Sequence, residues 1–183
     1  MKKESFIHKC IRHIRCLFRP ETQVQMYKRL GVVIGNNCDI IESSIDCTFP
    51  ELVRIGNNVT ITHATLLAHD ASTKKGLGYT KFGRLVVGDN VFIGWNSVVL
   101  PNVVIGNNCI IGAGSVVNMD IPDNSVVIGN PCRIVCSFDE YIEKNRQRLN
   151  ASTAYEAYPY SLSGNERNTL INKILENERV YLL

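Results

Sequence analysis

A large aliphatic residue recurs every six positions through the middle of the chain, and a glycine often follows it. The unbroken stretch of this repeat consists of Val87-Gly88, Ile93-Gly94, Val99, Ile105-Gly106, Ile111-Gly112 and Val117. A six-residue period matches neither the face of a helix nor the alternation of a β-hairpin. It is typical of short parallel strands that are joined by tight turns and wound into a prism. We therefore predict an all-β fold, a single-stranded parallel β-helix with its aliphatic side chains inside.

Polar turn residues occupy fixed places between the aliphatic positions. Asn-Asn pairs stand at 36–37, 57–58 and 107–108, and an Asp-Asn pair stands at 89–90. Such residues tolerate the positive φ angles that tight turns require. Three hexapeptides make one coil, and successive coils stack at the ordinary interstrand spacing of about 4.8 Å. The period does not reveal the handedness, because parallel crossovers are normally right-handed.

The composition of the chain argues against several classes of protein. The 183 residues are 45% hydrophobic and 20% charged, and the net charge of +3 is too small to indicate a nucleic-acid partner. The longest apolar runs are too short to cross a bilayer, and charges interrupt the basic N-terminal stretch before a signal-peptide core forms. Seven cysteines without a CxxC pair predict neither a zinc site nor a disulfide framework. We expect a cytoplasmic protein.

The segment from Val87 to Val135 reads VGDNVFIGWNSVVLPNVVIGNNCIIGAGSVVNMDIPDNSVVIGNPCRIV. It resembles the hexapeptide acyltransferases, and most of all their maltose/galactoside and polysaccharide O-acetyltransferase branch. The resemblance covers residues 30–137, and its strongest marks are IGAGSVV and GNPCR. It implies a left-handed β-helix, a homotrimer, and acetyl-CoA bound in clefts between subunits.

The repeat stops after His69 and resumes near Leu85. The residues between them, 70–85, are polar, glycine-rich and basic, which predicts a projecting loop with a function or else a tolerated surface insertion. In the resembled family a loop leaves the helix here, and LLAHDAS places His69 at the position of the catalytic histidine. With an unperturbed pKa near 6.5, a histidine can take a proton from an acceptor hydroxyl. The resemblance thus implies His69 as general base, the alternative being a solvated loop histidine.

Residues near this loop are candidates for binding the acceptor. Asp70 either orients His69 or begins the turn, and a backbone carbonyl could orient the ring instead. His63, Trp95 and Ala113 are one coil apart if the loop takes up no strand, so they should stack on one face. That face is either a trimer contact or an acceptor site. Phe92 stands where the resembled family often has a tryptophan that lines the site. We therefore predict His63, Asp70 and Phe92 as acceptor-binding residues.

The resemblance also implies a channel for acetyl-CoA. The rung Gly112-Ala113-Gly114-Ser115 matches the one that contacts the pantetheine arm, and Arg133 in Asn130-Pro131-Cys132-Arg133 would lie near the phosphates. The predicted cofactor-binding residues are Gly94, Trp95, Gly112, Ala113, Gly114, Ser115, Asn130, Pro131 and Arg133. The alternatives are ordinary turn chemistry and an unliganded surface arginine. No metal is expected, because His63 and His69 are the only histidines within the helix.

The two ends differ from the repeat. Residues 4–19 have the pattern of a basic amphipathic helix, which either caps the open first coil or rests on an anionic membrane. The apolar spacing after Pro131 predicts capping or subunit-embracing helices, with a linker between 150 and 165. The predicted division is a helical cap at 1–30, the β-helix at 31–137 with the loop at 70–85, and a helical extension at 138–183.

The preferred function is transfer of an acetyl group from acetyl-CoA to a hydroxyl of a sugar or polysaccharide precursor. Transfer to serine or to an amino sugar is a related alternative, because an amine acceptor would need a base as well. A non-catalytic trimeric scaffold is the alternative of a different class. The histidine at the loop root and the IGAGSV rung both favour an enzyme.

Overall fold

The computed structural model describes residues 21–150, 153–155, 158, 161–176 and 180–182. The strands of the β-helix and its projecting hairpin are β1 (Val33–Ile34), β2 (Asp39–Ile41), β3 (Ser44–Ile45), β4 (Val53–Ile55), β5 (Thr60–Thr62), β6 (Thr65–Leu66), β7 (His69–Asp70), β8 (Lys81–Phe82), β9 (Leu85–Val87), β10 (Val91–Ile93), β11 (Val98–Val99), β12 (Val103–Ile105), β13 (Cys109–Ile111), β14 (Val116–Val117), β15 (Ser125–Ile128) and β16 (Arg133–Ser137). The helices are α1 (Gln23–Arg29), α2 (Lys74–Leu77), α3 (Phe138–Asn150) and α4 (Gly164–Leu175), with a 3₁₀ turn at Pro50–Leu52.

Three sheets form the faces of a prism, as the six-residue repeat predicts. Sheet one has the order β1-β4-β9-β12, sheet two β16-β15-β13-β10-β5-β2, and sheet three β14-β11-β6-β3. The strands pair in parallel between successive coils. The chain visits sheets one, two and three in turn, so each coil of the prism has three corners. This is the predicted parallel β-helix.

One aliphatic residue from each coil forms the buried column behind sheet two. Ile40 pairs with Ile61, Ile61 with Ile93, Ile93 with Ile111, and Ile111 with Val127. The last four of these side chains have no exposed surface at all. Burying a side chain of this size contributes on the order of 1.5–3 kcal/mol relative to leaving it in water. The inward positions of the repeat therefore hold the coils together.

An asparagine ladder, made of Asn37, Asn58, Asn90 and Asn108, runs up the corner between sheets one and two. All four residues have positive φ, between 52° and 57°. The side-chain amide of each donates to the amide oxygen of the next, at N···O distances of 2.8, 3.0 and 3.1 Å. Asparagine is suited to this place because it tolerates the left-handed conformation and also bonds to the next coil.

Replacing Asn58 with alanine should destabilise the fold by about 1–3 kcal/mol. The alanine would sit at a φ of 54°, where a Cβ costs roughly 1–2 kcal/mol, and two ladder bonds would be lost. Asn58→Gly removes the same bonds without the backbone strain, so its loss should be smaller. Urea unfolding of the two variants at one protein concentration measures both effects. Equal losses of unfolding free energy in the two variants would mean that backbone strain at residue 58 contributes nothing.

Helix α1 packs on the first coil through Tyr27. The phenol donates to the carbonyl of Ser43 at 2.9 Å and accepts the Ile45 N–H at 3.1 Å, and the side chain is 6% exposed. Thr22 and Gln25 form a capping box that satisfies the first amides of the helix. The amphipathic helix predicted at 4–19 lies outside the described residues.

The chain divides into two compact units between Val135 and Cys136. The second unit contains α3 and α4, consistent with the helical spacing of the sequence. It also contains a parallel strand pair that the sequence did not predict, β17 (Thr153–Tyr155) with β18 (Val180–Leu182). In the described parts of the chain, no helix combines the length and the apolar character needed to cross a membrane.

Candidate functional site

The predicted loop is a hairpin: β7 and β8 pair in antiparallel fashion, and the residues between them form a projecting tip. His69 pairs with Phe82, and Asp70 pairs with Lys81. The Gly83 N–H donates to the carbonyl of Ala68 at 3.0 Å, which closes the root of the hairpin against the coil. Because successive side chains of a strand point to opposite faces, the two pairs lie on opposite sides of the hairpin. One side carries the candidate base, and the other carries an ion pair.

Asp46 holds the imidazole of His69. This residue follows β3, one coil earlier, and its Oδ2 contacts Nδ1 of His69. The same oxygen accepts the Ala68 N–H at 3.1 Å, and Oδ1 accepts the Thr48 N–H at 3.0 Å. The Asp46 side chain is 5% exposed and that of His69 is 37% exposed. Among the described residues the structure gives Nε2 of His69 no hydrogen-bond partner, so this nitrogen is available to take a proton.

The environment of Asp46 keeps its carboxyl ionised. Burial alone would raise its pKa, but the bonds from the Thr48 N–H, the His69 ring and the Ala68 N–H outweigh burial and lower the pKa to about 2. A carboxylate beside Nδ1 that is ionised at neutral pH favours the tautomer with its proton on Nδ1, which leaves Nε2 as the basic nitrogen. The pair therefore has the arrangement of a general base with its orienting group.

Acid should weaken the fold through Asp46. Its pKa is depressed in the folded state, so the stabilisation is present above an ordinary pKa near 4 and is lost as the pH falls towards 2. The gap in unfolding free energy between wild type and Asp46→Asn should change by about 1–2 kcal/mol from pH 6 to pH 2.5. Urea titrations at both pH values measure this change. A gap independent of pH would contradict the assignment.

Phe82 lies beside the imidazole, and Phe49 packs against Phe82. The Phe82 ring lies 5.7 Å from that of His69, centroid to centroid, with 32° between the planes. The Phe49 ring meets Phe82 edge to face at 5.0 Å and 75°. Both phenylalanines keep nearly half of their surface in solvent, 46% for Phe49 and 47% for Phe82. The base is therefore bordered by an exposed aromatic surface.

Asp70 does not touch the His69 ring. Its Oδ1 accepts the Ser72 N–H at 2.8 Å, as an Asx turn would, and its Oδ2 pairs with Nζ of Lys81 at 2.6 Å. These bonds, that of Lys81 first, lower the pKa of Asp70 to about 2. The turn interpretation of Asp70 therefore holds, and Asp46 takes the orienting place that the sequence left open.

A cavity of about 510 Å³ opens beside the hairpin. Its lining residues are Asp70, Lys81, Phe82, Leu100, Pro101, Asn102 and Asn118. Asp70 and Lys81 are the only charged residues of this lining, and they neutralise each other. His69 is not part of the lining, so within one chain the base does not open into this cavity.

His63 and Trp95 stack at another corner, between sheets two and three. The ring centroids are 3.5 Å apart with 21° between the planes, which confirms the predicted column. Nε2 of His63 also pairs with Oε2 of Glu42 at 2.9 Å, and Trp95 remains 52% exposed. The register of β10 with β13 places Ala113 on the next coil of the same corner. This corner and the His69 hairpin are separate edges of the prism.

Packing between coils explains two of the predicted cofactor glycines. A Cβ on Gly94 would lie 2.7 Å from the Ala113 nitrogen, and one on Gly112 would lie 2.6 Å from Cγ2 of Ile128. Neither clash leaves room for a side chain, whatever ligand binds. Close packing between coils therefore accounts for both glycines, and the cofactor role predicted for them stays a prediction.

Gly114 and Ser115 differ in what they offer to a ligand. Gly114 has a φ of 70° and nothing within 4 Å of its Cβ position, so its backbone is open to approach. The Ser115 hydroxyl is fully buried, donates to the Gly112 carbonyl at 2.5 Å and accepts the Gly129 N–H at 3.1 Å. Both hydrogen bonds of the Ser115 hydroxyl therefore stay within the β-helix.

The remaining predicted residues lie apart from His69. Phe92 projects from sheet two, where it pairs with Thr60 and Ile110 and is 43% exposed. The turn Asn130-Pro131-Cys132-Arg133 continues from the Trp95 corner, and its Cys132 N–H donates to Val116 at 3.0 Å. Asn130, Pro131 and Arg133 are all exposed. The cofactor candidates thus gather around the Trp95 corner and not around the base.

Sequence reasoning missed Asp46, Phe49 and Phe82. The coil register could have indicated Asp46, because Ile45 pairs with Leu66 and so brings residue 46 near the loop root. Nothing in the repeat indicates the two phenylalanines, since their contact depends on how the hairpin folds back. Over the described residues, no group of three or more His, Cys, Asp or Glu side chains is placed to hold a metal ion.

Comparisons with known proteins agree with this fold. The family model described as bacterial transferase hexapeptide (six repeats) matches residues 85–118. The Staphylococcus aureus protein CapG is 41% identical over 160 residues, covering 82% of this chain and 88% of that protein. The Lactococcus lactis galactoside O-acetyltransferase is 33% identical over 142 residues, covering 63% and 68%.

A solved structure of a galactoside acetyltransferase in complex with coenzyme A superposes with a TM-score of 0.51 and 25% identity. The match covers 68% of this chain and 76% of that one. Membership of this family carries the left-handed winding that the resemblance implied. The repeat, the register of the coils and these relatives agree. The chain belongs to the hexapeptide-repeat acyltransferases and is an enzyme of that family.

Proposed function

We propose that this acyltransferase moves an acetyl group from acetyl-CoA to a hydroxyl of a sugar or polysaccharide precursor. The observation that carries the proposal is the Asp46–His69 pair at the root of the hairpin, in which Asp46 contacts Nδ1 and not Nε2. A related protein is named a galactoside O-acetyltransferase, and a related structure holds coenzyme A, which supports this donor and this acceptor.

In the proposed reaction, Nε2 of His69 takes the proton of the acceptor hydroxyl as its oxygen attacks the thioester carbonyl. The resulting tetrahedral oxyanion would be stabilised by hydrogen-bond donors, most simply backbone N–H groups. The carbon–sulfur bond then breaks, and the imidazolium returns the proton to the thiolate of coenzyme A. The Asp46 carboxylate stabilises the imidazolium between these two transfers. No acyl-enzyme intermediate is needed.

Acetyl-CoA would bind at the Trp95 corner. The open backbone at Gly114 suits the pantetheine arm, and the exposed Arg133 would meet the phosphates. Because this corner and the His69 hairpin are different edges of one prism, one chain cannot supply both to a single reaction. We infer that the active site lies between two copies, within a homotrimer. His63, Phe92 and Asp70 keep their proposed acceptor roles only across such an interface.

The proposal extends to the rest of the chain. It includes the division of the chain at 1–30, 31–137 and 138–183. It also includes a cytoplasmic location and helices that cover the ends of the coil stack. Helix α1, seated on the first coil through Tyr27, supports the covering role at one end. A serine or amine acceptor remains the second candidate, because the base would serve either.

The test is an assay of the purified wild-type protein with acetyl-CoA. A panel of monosaccharides, oligosaccharides, serine and amino sugars is offered, and coenzyme A release is followed with a thiol reagent. Mass spectrometry of the product identifies the acetylated atom. We expect release that depends on a sugar hydroxyl. Release with serine or amino sugars alone would favour the second candidate. Binding of acetyl-CoA without any release would favour a scaffold.

A further inference from the structure

Phe82 lies beside the candidate base but has no role in the reaction proposed above. It lies across the hairpin from His69, on the same face, and its ring centroid is 5.7 Å from that of the imidazole. Phe49 reaches the same spot from a different coil, just before the turn at Pro50–Leu52. Two distant parts of the chain thus contribute to one aromatic pair, and the Phe82 ring of that pair lies beside the base. Single exposed apolar side chains are common, but a paired aromatic surface next to a candidate base is a candidate binding surface.

The contact with Phe49 leaves part of Phe82 uncovered. Phe49 meets Phe82 at 75°, so the contact uses an edge of one ring and braces Phe82 without covering both of its faces. About half of each phenylalanine remains in solvent. A flat apolar surface of this size fits a ligand that has a flat apolar face of its own. A pyranose ring has such a face in its axial C–H groups, with hydroxyls around its rim.

The distance between the His69 and Phe82 rings suits an acceptor that lies on the Phe82 ring. A general base must come within about 2.6–3.2 Å of the oxygen that it deprotonates. The imidazole centroid is 5.7 Å from the Phe82 centroid, a gap that a rim hydroxyl of a stacked six-membered ring can bridge. An open-chain acceptor such as glycerol has no comparable face and would gain little from the phenyl ring.

We propose that Phe82 is the platform on which a pyranose acceptor stacks, braced by Phe49, so that a rim hydroxyl meets Nε2 of His69. This inference rests on the proposed function. Phe82 is then a specificity-determining residue: it selects cyclic sugars over short open-chain alcohols and serine. It contributes to acceptor binding more than to the chemical step.

The experiment compares wild type, Phe82→Leu, Phe82→Trp and Phe49→Leu with a panel of methyl pyranosides and with glycerol. In Phe82→Leu, KM for the best pyranoside should rise about tenfold. The values of kcat, of KM for acetyl-CoA, and of kcat/KM for glycerol should stay within about threefold. Phe82→Trp should restore the low KM, and Phe49→Leu should shift it in the same direction by less. Tyr141→Leu, which removes a similarly exposed ring from α3, is the control.

A merely structural role gives a different pattern. If Phe82 only supports His69, Phe82→Leu lowers kcat for all acceptors alike and leaves KM unchanged, which would overturn the inference. Saturation-transfer NMR with the same pyranosides reads binding without turnover. Binding that weakens in Phe82→Leu supports the platform even where acetyl transfer itself fails. The inference is also overturned if wild type binds no pyranoside of the panel, whether or not it acetylates glycerol.

Discussion

Replacing His69 with alanine is expected to lower kcat for acetyl transfer by about 10²–10⁴-fold, the usual contribution of a positioned general base. KM for acetyl-CoA should stay within about threefold, because His69 is not among the residues proposed to bind it. Only the transition state needs the proton transfer, so the loss should appear in kcat and in kcat/KM together. Stopped assays of coenzyme A release at saturating acceptor measure it.

His69→Asn separates the base from its packing. The asparagine amide can still donate to Asp46, but it cannot accept a proton, so this variant should be as inactive as His69→Ala and more stable. Thermal unfolding of both variants provides the check on folding. Undiminished kcat in both variants would remove His69 from the mechanism. His63, the other histidine of the β-helix, would then be examined as the base.

Replacing Asp46 with asparagine should lower kcat by about 10²-fold or more while KM for both substrates changes little. The amide removes the negative charge that stabilises the imidazolium, and it can present an N–H to Nδ1, which favours the wrong tautomer. Asp46 has no contact with Nε2, so its effect must pass through the ring. It is therefore a positioning residue.

Asp123→Asn is the matched control for Asp46→Asn. Asp123 also accepts a backbone N–H, that of Asn107 at 2.8 Å, and this bond lowers its pKa. It lies at the corner that carries the asparagine ladder, away from the hairpin. We expect unchanged kcat in Asp123→Asn. A loss equal to that of Asp46→Asn would mean that removing any carboxylate from the coil corners disturbs the enzyme.

The β-helix could be predicted from the sequence because each inward residue follows a purely local rule. Ile93 and Ile111 are 18 residues apart, which is three periods, so the six-residue phase aligns them directly. Ile61 and Ile93 are 32 residues apart and align once the projecting hairpin is left out of the count. The same phase aligned His63 with Trp95 correctly, since the hairpin projects without taking the place of a strand in the three sheets. The six-residue period was sufficient to align residues of successive coils wherever the backbone continues the coil.

The surroundings of His69 do not follow from that rule. The contact between Asp46 and His69 spans 23 residues and depends on where the chain leaves the coil. Phe82 reaches the imidazole only because β8 returns antiparallel to β7, and no periodic pattern encodes that pairing. In the second unit, the pairing of β17 with β18 joins short segments without a repeat. Tertiary contacts, more than local propensity, determine these features.

The most direct test of the central claim is a double-mutant cycle of kcat with Asp46→Asn, His69→Ala and the combined variant. If the carboxylate acts only by making His69 a better base, it has nothing to act on once the imidazole is gone. The account predicts that the double variant is as slow as His69→Ala alone, within about threefold. Losses that multiply, so that the double variant is slower again by the full Asp46 effect, would contradict it.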